Sequence, residues 1–136
     1  MAIPKIIMHN SKKITNLNYL KTLSNGNFQL VEDMIKLFLT EIPKEMKLME
    51  KGIIENDFII VKSFTHNMKG TLRYFGLDKI VKTDLIEMEK LATTQLDFLR
   101  IEMLFLNIKI IFKKAMHELD DWLLFFKTSQ NKRICE

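Results

Sequence analysis

The stretch that decides the fold runs from residue 61 to residue 76 and reads VKSFTHNMKGTLRYFG. Its apolar residues recur every three or four positions, which is the spacing of one face of an α-helix. The members of this face are Val61, Phe64, Met68, Leu72 and Phe75. An apolar face of this length must pack against other elements. The stretch therefore predicts one amphipathic helix that reaches about Phe75 and ends at Gly76 in a left-handed conformation.

The opposite face of this helix carries a histidine with basic neighbours. On a wheel of 100° per residue, Lys62, Lys69, Gly70 and Arg73 all lie within about 60° of His66. Glycine inside a helix costs about 1 kcal/mol relative to alanine. We interpret Gly70 as an opening that lets a partner reach the imidazole, and the cations as attracting an anion. The alternatives are a close helix–helix approach at Gly70 and ordinary solvated side chains at Lys62 and Arg73.

The first half of the chain predicts two more helices. A short helix begins near Thr15 or Asn16 and ends near Ser24, and a turn follows at residues 25–27. Apolar residues at helical spacing then run from Phe28 to Ile53. Pro43 lies inside this second helix and is expected to bend or tighten it near residues 39–43.

The second half predicts the remaining helices. Asn56 or Asp57 is expected to cap the helix that carries His66. Another helix starts near Asp78 and gives way to a loop at residues 92–95. The last helix is the clearest, since apolar and aromatic residues keep helical spacing from residue 98 to residue 126.

Four amphipathic helices with short connections predict an all-α fold, an antiparallel up-down four-helix bundle with a short additional N-terminal helix. We divide the chain into an N-terminal extension (1–15), a bundle domain (16–127) and a polar C-terminal tail (128–136) that frays beyond Lys127. The aromatic residues of the last helix are assigned to the core.

Composition narrows the function classes. The chain has 136 residues, 47% of them hydrophobic, and a net charge of +4. Its four glycines, at positions 26, 52, 70 and 76, form no nucleotide-binding loop, so we expect no kinase activity of its own. The single cysteine, Cys135, permits neither a disulfide within one chain nor a cysteine metal site. No apolar run is long enough for a membrane span and no secretory signal is visible. We therefore expect a cytoplasmic protein.

The residues around His66 resemble the histidine-containing phosphotransfer (HPt) domain family. Its signature is His-x-x-Lys-Gly-Ser/Thr with a glycine ten residues after the histidine, and His66, Lys69, Gly70, Thr71 and Gly76 fill these places. The similarity extends over about residues 17–120. The chain departs from the family's usual residues in four places, which are Thr65, Met68, Leu72 and Leu77.

The resemblance implies a phosphocarrier in a multistep phosphorelay of two-component signal transduction. It implies that His66 takes a phosphoryl group through Nε2 from an aspartate of one receiver domain and passes it to another. Lys69 would stabilise the phosphoryl charge, Gly70 would give the partner access, and Lys62 and Arg73 would form a basic rim. The expected partners are the receiver domains of a hybrid sensor histidine kinase and of a response regulator. Mg²⁺ is expected on the receiver, and the chain itself needs no cofactor or metal.

Two other functions compete with this interpretation. One is a helical adaptor that docks on a receiver domain without carrying phosphate. The other is a basic nucleic-acid-binding bundle, which ranks last because aromatic and basic residues do not interleave on an exposed face. We expect a monomer that binds neither nucleic acid nor membrane. His9 and His117 are expected to be ordinary surface residues.

Overall fold

The structure, a computed structural model, describes residues 12–135, and their side chains as far as Phe126. Most of these residues form helices, and there is no strand among them. The elements are α1 (Asn18–Ser24), α2 (Phe28–Ile54), α3 (Phe58–Thr71), a 3₁₀ turn (Leu72–Phe75), α4 (Asp78–Thr94) and α5 (Phe98–Cys135). The predicted all-helical class is therefore confirmed.

Local sequence signals account for the helix starts. The side chain of Asn27 accepts a hydrogen bond from the backbone N–H of Leu30 and caps α2. Asp57 caps α3 by accepting from Ile59 N (3.0 Å) and Ile60 N (3.2 Å), so the second of the two predicted caps is used. The turn before α2 is also as predicted, because Asn25 and Gly26 both adopt positive φ.

Helices α2 to α5 contact one another in a ring. Helix α2 packs on α3 and α5, and α4 also packs on α3 and α5. Each helix contributes its apolar stripe to one continuous core. All five residues of the α3 stripe are at most 2% exposed, as the spacing from Val61 to Phe75 predicts.

Helix α3 ends earlier than predicted. The α-helix stops at Thr71, and residues 72–75 form a tighter 3₁₀ turn, whereas one helix to Phe75 was expected. Leu77 N donates to Leu72 O and Gly76 N donates to Arg73 O. This closes the turn with Gly76 at φ +72°, so the predicted left-handed end is confirmed. The tightened turn packs the Phe75 ring on Phe38, with 4.4 Å between centroids.

Two other boundaries differ from the prediction. The loop expected at residues 92–95 is wrong, because α4 continues to Thr94 and ends at Gln95 with positive φ. Ala92 is buried in the core, and the Thr94 hydroxyl donates to Lys90 O, so both residues fit a final helical turn. Helix α5 runs to Cys135, beyond the end predicted at residue 127. Helix α2 is continuous through Pro43, and the bend there remains a prediction.

The segment before α1 is attached to the helices. Asn16 N donates to Phe75 O at 2.8 Å. The Glu118 carboxylate on α5 accepts from Ile14 N, Thr15 N and the Thr15 hydroxyl. Ile14 and Thr15 of the predicted extension are thus hydrogen-bonded to α5, and Asn16 is hydrogen-bonded to the 3₁₀ turn. Residues 1–11 lie outside the described residues. Within the described part of the chain, no helix is both long and apolar enough to cross a membrane.

We predict that Gly76→Ala destabilises the protein by about 2–3 kcal/mol. Its φ of +72° disfavours a side chain, and a Cβ there would lie 2.7 Å from Asn16 Cβ and 3.0 Å from Asn16 N. Gly26→Ala is the matched control, since Gly26 has φ +83° but open space around it. It should cost about 1–2 kcal/mol, from backbone strain alone. Urea denaturation measures both, and equal losses would contradict the role of the Asn16 contact.

Candidate functional site

His66 lies on the solvent side of α3, opposite the buried stripe. Lys62, Lys69 and Gly70 are exposed with it, as the wheel predicts. Thr65, one residue before the histidine, is fully buried, and its hydroxyl donates to Lys62 O at 2.8 Å. This internal hydrogen bond lets a threonine occupy a buried position on the helix. The imidazole is therefore held on a fixed helical surface that the core orients.

The surface beside His66 is open at Gly70. A Cβ built on Gly70 would have no atom within 4 Å outside the local helix. The close helix–helix approach considered for this glycine is therefore excluded. Gly52 shows the contrast, because a Cβ there would lie 2.6 Å from Ile60 Cγ2. Gly52 serves the packing of α2 against α3, whereas Gly70 leaves space next to the histidine.

Lys69 forms an ion pair with Glu89, which lies on α4. The hydrogen bond from Lys69 holds the pKa of the Glu89 carboxyl below its usual value, against an opposing contribution from desolvation. The positive charges of Lys69, His66 and Lys62 lower this pKa further. One carboxylate therefore lies among the three basic residues that the sequence places on this face. The anion that Lys69 contacts in the structure therefore belongs to the same chain.

Glu89 is the site residue that sequence reasoning missed. It lies 23 positions after His66, in a different helix, so no spacing within α3 indicates it. Only the packing of α4 on α3 brings its carboxylate to Lys69. In the sequence, Glu89 is only one of many acidic residues, and its half-exposed position on α4 does not distinguish it from the others.

Arg73 has a different environment from the other cations. It lies in the 3₁₀ turn, where the α-helical wheel no longer applies. Its guanidinium lies over the ring of Tyr19 on α1, 5.7 Å from the centroid, in a cation–π contact. Arg73 thus faces α1, while Lys69 pairs with Glu89 on α4.

Two grooves border the α3 surface near Gly70. The larger, of about 510 Å³, lies between α3 and α4 and includes Lys69, Gly70 and Arg73 together with Lys82 and Asp78. The smaller, of about 200 Å³, lies between α2 and the end of α3, and its mostly apolar lining includes Met34, Leu37 and Thr71. A partner that approaches Gly70 would meet a basic groove on one side and an apolar groove on the other.

The other histidines lie apart from this site. His117 is exposed on α5, with its Nε2 3.6 Å from an oxygen of Asp121 one turn later. His9 lies outside the described residues. Among the described residues, no group of three or more His, Cys, Asp or Glu side chains is arranged to hold a metal ion.

Comparisons with known proteins do not place the chain in a family. No family model, no curated protein and no solved structure matches it. We therefore infer the function from the chemistry of His66 and its neighbours.

We predict that Lys69→Met raises the pKa of Glu89 toward its usual value. Because the pair lowers this pKa in the folded state, its stabilisation is present above the unfolded pKa and is lost as the pH falls through the folded one. The pair is exposed, so its loss should cost only about 0.2–1 kcal/mol near neutral pH. The measurement is a ¹³C NMR titration of the Glu89 side-chain carboxyl.

Lys82→Met is the control for this titration, because Lys82 lines the same groove and is not among the charges that act on Glu89. The titration of Glu87, whose pKa is lowered by Arg100, should be the same in both variants. An unchanged Glu89 titration in Lys69→Met would show that the ion pair is absent in solution.

Proposed function

We propose that this chain is a histidine phosphotransfer protein that relays a phosphoryl group between receiver-domain aspartates. The observation that carries the proposal is the exposed imidazole of His66 beside the open surface at Gly70, with Lys69 one turn away. The sequence signature that these three residues form with Thr71 and Gly76 also supports it. The proposed relay is cytoplasmic, in keeping with the expectation from the sequence.

The proposal includes an antiparallel up-down arrangement of α2 to α5. Ring and ion-pair contacts support it. Phe28, at the start of α2, lies against Phe126 late in α5, while Glu50 near the end of α2 pairs with Lys109 in the middle of α5. The directions of these two neighbouring helices are thus opposed. Such a bundle needs only short connections, and those after α2, α3 and α4 are short.

The proposed reaction requires few chemical groups from this chain. A lone pair on Nε2 of His66 attacks the phosphorus of an aspartyl phosphate on the partner. The P–N bond forms as the P–O bond to the aspartate breaks, and the electron pair of that bond stays on the departing carboxylate. Reaction with a second receiver domain reverses these steps on a new aspartate. Positioning and charge stabilisation supply most of the catalysis of such a transfer.

Glu89 gives Lys69 two states in this mechanism. Before transfer, the ammonium group is paired with the carboxylate. A phosphoryl group on His66 carries more negative charge than Glu89 and would compete for the same ammonium group. Glu89 would then face an anion without its partner, which disfavours the phosphorylated form. We therefore assign Glu89 the role of destabilising the phosphohistidine, which favours onward transfer of the phosphoryl group.

The grooves beside Gly70 suit the docking of a partner domain. A receiver domain presents an acidic pocket around its aspartate, and the basic groove at Lys69, Arg73 and Lys82 complements that charge. The apolar groove that includes Leu37 and Met34 gives the same partner a surface to bury. Both grooves adjoin residues 70–71, where a docking domain must come close to reach His66.

The second candidate is the adaptor that binds a receiver domain and carries no phosphate. The Lys69–Glu89 pair favours it, because the lysine expected to meet the phosphoryl group is already neutralised. The two candidates share a docking surface and differ only in the chemistry at His66. Labelling experiments therefore separate them.

We predict that His66→Gln abolishes phosphoryl labelling by a phosphorylated receiver domain. Because residue 66 is exposed, its replacement should change the free energy of unfolding by less than about 0.5 kcal/mol. The readout is acid-labile, base-stable label on the chain, with circular dichroism as the folding check. His117→Gln is the control and should label like the wild type. Label that persists in His66→Gln would refute the assignment, and a wild-type chain that binds receivers without label would favour the adaptor.

We predict that Gly70→Gln slows transfer at least about tenfold, because a long side chain would fill the surface that the partner needs. Gly70→Ala is the control, with a methyl group in open space. It should stabilise the protein by up to about 1 kcal/mol and retain most of the transfer rate. Single-turnover kinetics with a phosphorylated receiver domain compare the three proteins. Equal rates in Gly70→Gln and the wild type would exclude a role for Gly70 in access.

A further inference from the structure

Helix α5 carries a second apolar line that is not part of the core. It consists of Leu99, Met103, Leu106 and Ile110, which we call the outer stripe. These side chains are 68%, 55%, 52% and 68% exposed. Their spacing of four, three and four residues is that of the contact positions of a coiled coil. The core-facing residues of α5, such as Ile108 and Phe112, lie on a different side of the helix and are fully buried.

Polar contacts define both flanks of the outer stripe. On the α2 side, Lys109 pairs with Glu50 at 2.6 Å. On the α4 side, Arg100 pairs with Glu87 at 2.6 Å, and the Asn107 amide donates to Asp84 at 2.6 Å. The stripe therefore runs along the middle of the outer surface of α5. An apolar seam with a polar rim is typical of a protein–protein contact.

We propose that the outer stripe is the contact surface of a weak antiparallel dimer of this chain. When two copies of α5 lie antiparallel and are centred between residues 104 and 105, the stripe meets itself. Leu99 then faces Ile110 of the second copy, and Met103 faces Leu106 of the second copy. The symmetry is two-fold, so each contact occurs twice.

Charge complementarity identifies a second copy as the occupant and sets its direction. Within the described residues, Glu102 has no ion-pair partner and lies on the same flank of α5 as Lys109. In the antiparallel pairing, Glu102 comes beside Lys109 of the second copy, and the reverse contact forms as well. Each Lys109 would then lie between Glu50 and an incoming Glu102. A parallel pairing would place Glu102 opposite Asn107 and would lose both charge pairs.

The size of the stripe indicates a reversible dimer. Residues 99–110 span about 18 Å of helix. A contact along this length of one helix buries less area than a standard interface of about 800 Å² per partner. It is therefore in the size range of transient contacts. A dissociation constant in the micromolar range is therefore expected. The proposal is independent of the proposed relay function, since the stripe shares no residue with the site around His66.

Sedimentation velocity of the full-length chain tests the dimer, at concentrations from about 1 µM to about 1 mM. The weight-average sedimentation coefficient should rise with concentration from the monomer value to the dimer value. Leu106→Glu should raise the dissociation constant at least about tenfold, because it places two unpaired charges in the seam. Leu48→Glu on α2 is the matched control, with 54% exposure against 52% for Leu106, and should leave dimerisation unchanged. A chain that stays monomeric over the whole concentration range overturns the proposal, even if another partner binds the outer stripe.

A charge-reversal pair tests the antiparallel direction. Glu102→Lys and Lys109→Glu should each dimerise more weakly than the wild type, since each homodimer places like charges together. An equimolar mixture should dimerise more strongly than either variant alone, because both contacts are then between opposite charges. Glu50→Gln controls for the loss of the Lys109–Glu50 pair, and circular dichroism checks the fold. A mixture that associates no better than its components refutes the antiparallel pairing.

Discussion

Burial of one face of α3 is the constraint on which the rest of the structure depends. Val61, Phe64 and Met68 fill the core, so the opposite side of the helix has to face solvent. That side presents His66 and leaves Gly70 uncovered. The 3₁₀ turn then carries Leu72 and Phe75 into the same core and ends at Gly76. The packing of α3 therefore fixes the side of the helix on which His66 lies.

The basic and acidic side chains around His66 have opposite effects on an incoming anion. The basic residues of α3 favour an incoming anion, while Glu89 on α4 already supplies one to Lys69. A site with lysines alone would hold a phosphoryl group tightly and release it slowly. In the proposed relay, a carboxylate beside the lysine would lower the affinity of the site for phosphate and favour release of the phosphoryl group. If no phosphate were carried, the same pairing would neutralise Lys69 alone and leave Arg73 and Lys82 as the basic groups of the groove.

Periodicity within each helix predicted most of the fold, and contacts between helices supplied what it could not. The stripe from Val61 to Phe75, the Asp57 cap and the left-handed Gly76 follow from local rules of spacing and capping. The 3₁₀ turn does not, because it depends on the packing of Phe75 on Phe38 and on the Asn16–Phe75 hydrogen bond. His66 and Lys69 lie on one helix, so their spacing indicated them. Glu89 and the contact of Arg73 with Tyr19 depend on the packing of other helices, and the sequence did not indicate them.

The most direct test is NMR of the uniformly ¹⁵N-labelled wild-type chain during incubation with a phosphorylated receiver domain and Mg²⁺. If His66 is the phosphoryl acceptor, a new phosphoramidate signal should appear in the ³¹P spectrum with a ³¹P–¹⁵N coupling to Nε2 of His66. Amide signals in α3 and α4 around His66 and Glu89 should shift as well. A phosphoryl signal coupled to a different histidine would contradict the assignment of His66. So would binding that shifts the α3 signals and produces no phosphoramidate.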